Sequence, residues 1–157
     1  MIIELGHFSM ALAFAIAAIA AVLGFAFWRR HGQVTPYLRA AAVLQFLLIA
    51  LAFGTLINAF VNADFSLALA YQHDHSQMPL IFKVTSFWGS HEGSMVLWIS
   101  ILVLFGALVA VFGRRLPEDL LALVLSMQAL LVAAFTGFTL FTSNPFLRLS
   151  PAPLEGQ

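Results

Sequence analysis

The sequence contains no cysteine, which excludes disulfide bridges, thiolate metal sites and a CxxC redox motif within its 157 residues. Charged residues are also scarce, at 9% of the chain, and the 7 basic side chains balance the 7 acidic ones. A chain without net charge offers no basic surface to a nucleic acid, so we expect no nucleic-acid partner. Apolar residues, in contrast, make up 62% of the chain and give a mean hydropathy of +0.97. This composition indicates an integral membrane protein that is surrounded by lipid.

Four apolar runs are each long enough to cross a bilayer core, for which a helix needs roughly 20 residues. They predict an all-α, polytopic membrane fold in a single domain. Arg29 and Arg30 follow the first run, whereas a secretory signal peptide carries its basic residues before the apolar run, so this run should remain as a helix. We further predict a loop over 62–92 and a non-helical tail over 142–157. The predicted spans are residues 8–28, 38–61, 93–112 and 120–141.

The basic residues are distributed unevenly between the two ends of these spans. Lys83 and Arg148 lie at one end, and a larger group lies at the other. Because Lys and Arg accumulate on the cytoplasmic side of membrane proteins, the larger group predicts that both short turns are cytoplasmic. Both termini, the long loop and the start of the third span are then outside. The larger group consists of Arg29, Arg30, Arg39, Arg114 and Arg115.

The residues with the most chemistry are concentrated at the head of the third span, in segment 88–98. Ser90 is a favourable N-cap, so a helix is predicted to begin at His91. In that helix His91 and Trp98 share one face with the residues at i+3 and i+4 from His91. Glu92 points elsewhere, and we therefore predict no His91–Glu92 dyad. The candidate site residues are Trp88, Gly89, His91, Glu92, Gly93, Ser94 and Trp98.

Each candidate also has a structural interpretation. Trp88 lies at a membrane entrance, where tryptophan is an ordinary interfacial anchor. Trp98 lies some 15 Å deeper, where its indole needs a partner or serves helix packing alone. His91 can ligate iron or merely hydrogen-bond a neighbouring loop. Gly89 and Gly93 allow the close approach of a flat ligand or of another helix.

The remaining polar residues are assigned structural roles. His73 and His75 flank Asp74 and could chelate a metal, but a solvated loop is the simpler interpretation, and no metal site is predicted. Glu4 and His7 lie at a fraying chain end and receive no special role. Two polar stripes are interpreted as interhelical hydrogen-bonding positions that form a polar rim on the outer side. They are Thr55, Asn58 and Asn62, and Thr136, Thr139 and Ser143.

Segment 88–94, with the sequence WGSHEGS, resembles the start of the CcmF family, the haem lyase subunit of bacterial cytochrome c maturation, and of its close relative NrfE. The segment ELGHF at 4–8 and the tail segments 144–146 and 151–153 resemble the same family. The resemblance thus extends over essentially the whole chain. Because the family's chains are several times longer, we expect this sequence to be an N-terminal fragment or a truncated product; the alternative is one piece of a lyase that is split among several polypeptides.

The resemblance implies a part in the membrane haem lyase that attaches haem covalently to apocytochrome c at the periplasmic face of the bacterial inner membrane. It implies haem as the cofactor, with ligands outside this chain. The implied partners are the haem chaperone CcmE, CcmH/CcmI-type subunits, apocytochrome c and the remainder of the lyase. This chain would then serve as a scaffold and as a docking surface for haem or a partner, and alone it should be inactive.

Two other functions fit the composition. The first is a small helical subunit of a proton- or quinone-linked membrane complex, which the Phe-rich spans favour. Ion pumps usually keep an ionisable group inside the membrane, however, and the interior of these spans carries no Asp, Glu, Lys or Arg. The second is a purely structural membrane subunit.

Overall fold

A computed structural model describes residues 1–27, 31–153 and 155–156. Arg29 and Arg30, which enter the orientation argument, and residue 28, where the first predicted span ends, lie outside this part. The helices are α1 (Ile2–Ala26), α2 (His31–Val61), α3 (Ala68–His73), α4 (Leu80–Gly89), α5 (His91–Phe112) and α6 (Glu118–Phe141), with a 3-10 turn at Gly113–Arg115.

Four helices, α1, α2, α5 and α6, are long and apolar enough to cross a membrane. The residues described contain no strand, so the predicted all-α fold with four spans is confirmed. The first two long helices extend beyond the start of the predicted spans, since α1 begins at Ile2 and α2 continues through Pro36 near its beginning. Segment 62–92, predicted to be a loop, contains the two short helices α3 and α4.

The four long helices form an antiparallel bundle in which α1 and α5 each pack against both α2 and α6. The connection between α5 and α6 is short, whereas the connection between α2 and α5 contains α3 and α4, so the two ends of the bundle differ. We call the end with α3, α4 and the C-terminal tail the loop end. The other end, where α2 begins and α5 finishes, carries Arg39, Arg114 and Arg115, and we call it the arginine end.

Small residues set the distance between helices toward the arginine end. The side chain of Ser126 on α6 faces Gly24 on α1, and a methyl group added to Gly24 would lie 1.9 Å from the Ser126 hydroxyl oxygen. Since lipid tails are as apolar as the helices, close van der Waals packing of this kind stabilises a membrane bundle. The buried residues around this crossing are mostly alanines and leucines: Ala20, Ala21, Leu38, Ala42, Ala110, Leu121, Ala122, Leu125 and Ala129.

The threonines of the two polar stripes satisfy their hydroxyl groups within their own helices. Thr55 donates to the Ala52 carbonyl at 2.7 Å, and Thr139 donates to the Phe135 carbonyl at 2.8 Å. Thr136 bonds in the same way, to the carbonyl four residues earlier. The predicted interhelical hydrogen bonds of these threonines are therefore wrong, because a nearby backbone carbonyl is the closer acceptor.

We predict that Gly24→Ala destabilises the bundle by about 1–3 kcal/mol, since the added methyl meets Ser126 and that residue is fixed in a helix. Unfolding of the purified chain in mixed micelles, followed by far-UV circular dichroism, measures the effect. Gly54→Ala is the matched control, because a methyl there meets nothing within 4 Å. Adding Ser126→Gly to Gly24→Ala should restore stability. Equal losses for Gly24→Ala and Gly54→Ala would show that the crossing is not tight.

Candidate functional site

The corner between α4 and α5 is built around Ser90. The Ser90 hydroxyl oxygen accepts a hydrogen bond from the Gly93 backbone N–H at 3.0 Å and the hydroxyl donates to the Phe87 carbonyl at 2.8 Å. The predicted N-cap at Ser90 is therefore confirmed. Glu92 lies in the first turn of α5, where the helix dipole favours a carboxylate.

Gly93 and Phe87 fix the angle of this corner. A methyl group on Gly93 would lie 1.8 Å from the Phe87 carbonyl oxygen, so the backbone passes too close for any larger residue. The Phe87 side chain is fully buried and packs edge-to-face against Phe53 and Phe60 of α2, with ring centroids 5.3 and 5.6 Å away. The corner is thus attached to the bundle from its inner side.

The outer side of the corner is open. The Trp88 side chain is 39% exposed, and His91 is exposed at the first position of α5. Gly89, between them, has no atom within 4 Å of the position that a side chain would take. Trp88, Gly89 and His91 are therefore all exposed within the four positions 88–91 of the corner. We call these three residues the corner surface.

The other candidate residues occupy different positions. Glu92 and Ser94 are half-buried, Gly93 is buried inside the corner, and the Ser94 hydroxyl donates to the His91 carbonyl at 2.8 Å. Trp98 lies two turns below His91 and is 66% exposed, so packing within this bundle does not account for it. It borders a groove of about 390 Å³ between α5 and α6, which is lined by Met95, Trp98, Leu102 and Phe135.

Asp74 is the largest departure from the sequence-based interpretation. Instead of lying in a solvated loop, its side chain is fully buried, 3.8 Å from the Lys83 ammonium nitrogen. One carboxylate oxygen accepts the His75 backbone N–H at 2.8 Å, and the other has no hydrogen-bond partner. Burial raises the pKa of Asp74 above its ordinary value. Within the described ranges, no group of three or more His, Cys, Asp or Glu side chains could hold a metal ion.

The C-terminal tail covers this ion pair. Glu155 accepts hydrogen bonds from the Ser76 backbone N–H and hydroxyl, both at 2.9 Å, and these bonds lower the pKa of its carboxyl group. A methyl group on Gly156 would lie 1.8 Å from the Asp74 carbonyl oxygen, so only glycine allows the tail to lie this close. The tail therefore belongs to the packed loop end.

A second set of contacts joins the tail to the start of α1. The Arg148 guanidinium pairs with Glu4 and also donates to the Ser66 hydroxyl at 3.0 Å. The ring of His7 stacks on Phe146 with centroids 5.6 Å apart. The prediction that Glu4 and His7 have no special role is therefore wrong, because both hold the tail against the bundle.

One of the two stripes of the predicted polar rim, the stripe on α2, lines a cavity at the loop end. The cavity has a volume of about 560 Å³ and lies between α1, α2 and the tail. The stripe on α2 forms one wall of the cavity. The Asp64 carboxylate and the Arg148 guanidinium also line it. The polar residues of its lining are Thr55, Asn58, Asn62, Asp64 and Arg148.

Comparison with known proteins shows similarity over the whole chain to cytochrome c-type biogenesis proteins. The chain is 52% identical to CycK of Rhizobium meliloti and 49% identical to ccl1 of Rhodobacter capsulatus, over 100% of its length but only 23% and 24% of theirs. CcmF of Escherichia coli is 36% identical over 98% of the chain and 24% of that protein. No family model matches the chain.

A solved structure of the cytochrome c haem lyase CcmF has the same fold, with a TM-score of 0.85 and 25% identity over 96% of this chain and 26% of that one. The predicted resemblance is thus confirmed: the chain corresponds to the N-terminal part of these longer proteins. It spans about a quarter of their length.

We predict that Lys83→Met destabilises the loop end by about 3 kcal/mol, because it leaves the Asp74 carboxylate buried without a cation. The double variant Lys83→Met/Asp74→Asn should recover most of this loss, since it buries no charge. Protection of residues 68–90 against hydrogen exchange measures both effects. Thr85→Ala, on the exposed side of α4, is the control and should change little. Additive losses in the double variant would show that the two charges do not interact.

The pH dependence of stability follows from the raised pKa of Asp74. The Asp74 carboxyl group binds its proton more tightly in the folded loop than in the unfolded chain. Its contribution to the free energy of unfolding is therefore complete below the ordinary pKa of 3.8 and is lost as the pH rises through the raised pKa. The thermal midpoint of the unsubstituted chain, measured relative to that of Asp74→Asn, should therefore fall as the pH rises above the ordinary pKa of 3.8. A relative midpoint that rises with pH would contradict this assignment.

Proposed function

We propose that this homologue of the N-terminal part of the CcmF, CycK and NrfE cytochrome c-type biogenesis proteins acts within a membrane haem lyase that attaches haem covalently to apocytochrome c. The observation that carries the proposal is that the similarity to these proteins extends over the whole chain. The 52% identity extends over all four membrane spans, the corner and the tail, and the solved haem lyase matches 96% of the chain.

In this proposal the loop end faces the periplasm and the bundle lies in the bacterial inner membrane. The charge distribution supports this orientation, because Arg39, Arg114 and Arg115 are at the opposite end. The corner surface and the tail then lie on the side where apocytochromes receive haem. The groove beside Trp98 lies further along α5, within the part of the bundle that crosses the membrane in this proposal.

Haem is the substrate of this reaction, and the corner surface has features that suit a flat, apolar ring. Trp88 exposes an aromatic side chain next to the open position at Gly89, and Trp98 exposes a second one further along α5. His91 is the one histidine on this surface. We assign these residues to haem docking and, following the family resemblance, place the axial ligands of the iron outside this chain.

The contribution of this chain to the chemistry is positioning. The thiols that form thioether bonds belong to the CxxCH motif of the apocytochrome, so a chain without cysteine is compatible with the reaction. Holding haem and apoprotein in one geometry lowers the entropic part of the barrier. In this proposal CcmE delivers haem, CcmH/CcmI-type subunits present the apocytochrome, and the remainder of the lyase completes the active site. The chain alone is then inactive.

The proposal can be tested by complementation. In a bacterial strain without its own CcmF-type lyase, a hybrid lyase whose N-terminal quarter is this chain should restore covalent haem attachment, read by haem staining of c-type cytochromes. Trp88→Ala and His91→Ala in the hybrid should each lower the stained cytochrome by about tenfold or more, because small errors of position strongly reduce rate.

Phe112→Ala is the matched control for the loss of an exposed aromatic, since Phe112 is exposed at the arginine end of α5. It should leave maturation unchanged. A membrane-inserted hybrid without any maturation would contradict the proposed function. Full maturation in both corner variants would contradict the docking surface while leaving the lyase function intact.

A further inference from the structure

The arginine end contains a second cavity that the proposed function does not use. It has a volume of about 490 Å³ and lies between α2 and α5. Two guanidinium groups, those of Arg39 and Arg114, form its polar part. Every other residue of the lining is aliphatic: Ala40, Val43, Leu44, Leu47, Ala110 and Val111.

Both arginines lack a carboxylate partner within the part of the chain that the structure describes. The ion pairs found there involve neither Arg39 nor Arg114. The Nε atom of Arg39 is buried and has no hydrogen-bond partner. The acidic residues at this end, Glu118 and Asp119, are exposed in the first turn of α6, where the helix dipole stabilises them. A buried donor without an acceptor is costly, so an anion that accepts a hydrogen bond from Arg39 Nε would be bound favourably here.

The position of the cavity along the bundle corresponds to a membrane interface. Helix α2 has 31 residues and is therefore about 46 Å long, whereas the hydrocarbon core is about 30 Å thick. Arg39 follows the first two turns of α2, and Arg114 lies two residues after the end of α5. The guanidinium groups thus lie near the level of the lipid headgroups, and the aliphatic lining extends from them into the membrane.

We propose that this cavity binds one anionic phospholipid, with its phosphate between Arg39 and Arg114 and part of an acyl chain against the aliphatic lining. Arginine is suited to this role because its planar fork donates paired hydrogen bonds to phosphate oxygens. Basic pockets between membrane helices recognise lipid headgroups in this way. The aliphatic lining distinguishes a lipid from free phosphate, which would gain nothing from Val43 and Leu47.

The proposal is tested by counting lipids on the full chain. The chain is purified in a mild detergent and titrated with phosphatidylglycerol, and bound lipid is counted by native mass spectrometry. One phosphatidylglycerol should bind per chain, and phosphatidylcholine should bind about tenfold more weakly. Arg39→Gln and Arg114→Gln should each weaken phosphatidylglycerol binding by about tenfold, because each removes a charge-assisted pair of hydrogen bonds.

Arg115→Gln is the matched control, since Arg115 lies in the same 3-10 turn as Arg114 but does not line the cavity. Arg115→Gln should bind phosphatidylglycerol as tightly as the unsubstituted chain does. Circular dichroism verifies that all three variants keep the helical fold. An equal loss in Arg115→Gln would show a diffuse basic surface and overturn the proposal. Unchanged binding in both cavity variants would overturn it too, as would inorganic phosphate that competes as well as phosphatidylglycerol.

Discussion

The candidate site depends on one backbone carbonyl, that of Phe87. It accepts the Ser90 hydroxyl, and it lies so close to Gly93 that no side chain fits between them. The ring of the same residue is buried against α2, so the hydrogen-bonded corner is also fixed to the bundle. Phe87 thereby supports the cap at Ser90, where α5 begins, and attaches it to the bundle.

Local signals in the sequence predict those parts of the fold that depend on neighbours in the chain. The four spans follow from hydropathy, because a helix in lipid must satisfy its backbone hydrogen bonds internally. The start of α5 follows from the capping preference of Ser90. The same reasoning could place His91 and Trp98 on one face, since helical periodicity extends from the cap. The polar stripes were misread because periodicity identifies a face without identifying the acceptor of a hydroxyl group.

The parts that sequence reasoning missed depend on residues far apart in the chain. Glu4 and Arg148 meet only because α1 and the tail share the loop end. Asp74 and Lys83 lie closer together, but the burial of Asp74 depends on the tail, whose Gly156 packs against its carbonyl group. The opposite charges of Glu4 and Arg148, near the two ends of the chain, are a signal from which their ion pair could have been predicted. Nothing local indicated the burial of Asp74, because burial depends on what the rest of the chain brings over a residue.

The two sides of the α4–α5 corner have different requirements. The inner side carries its stability, through the buried ring of Phe87 and the tight backbone at Gly93. Trp88 and His91 on the outer side contribute little to that packing, since large parts of both side chains remain exposed. A tryptophan side chain that is exposed at a membrane interface costs little stability, because its indole ring has an apolar body that faces lipid and a polar edge that faces water. The corner can therefore present these groups to a ligand without weakening the fold that holds them, which a site built into the bundle core could not do.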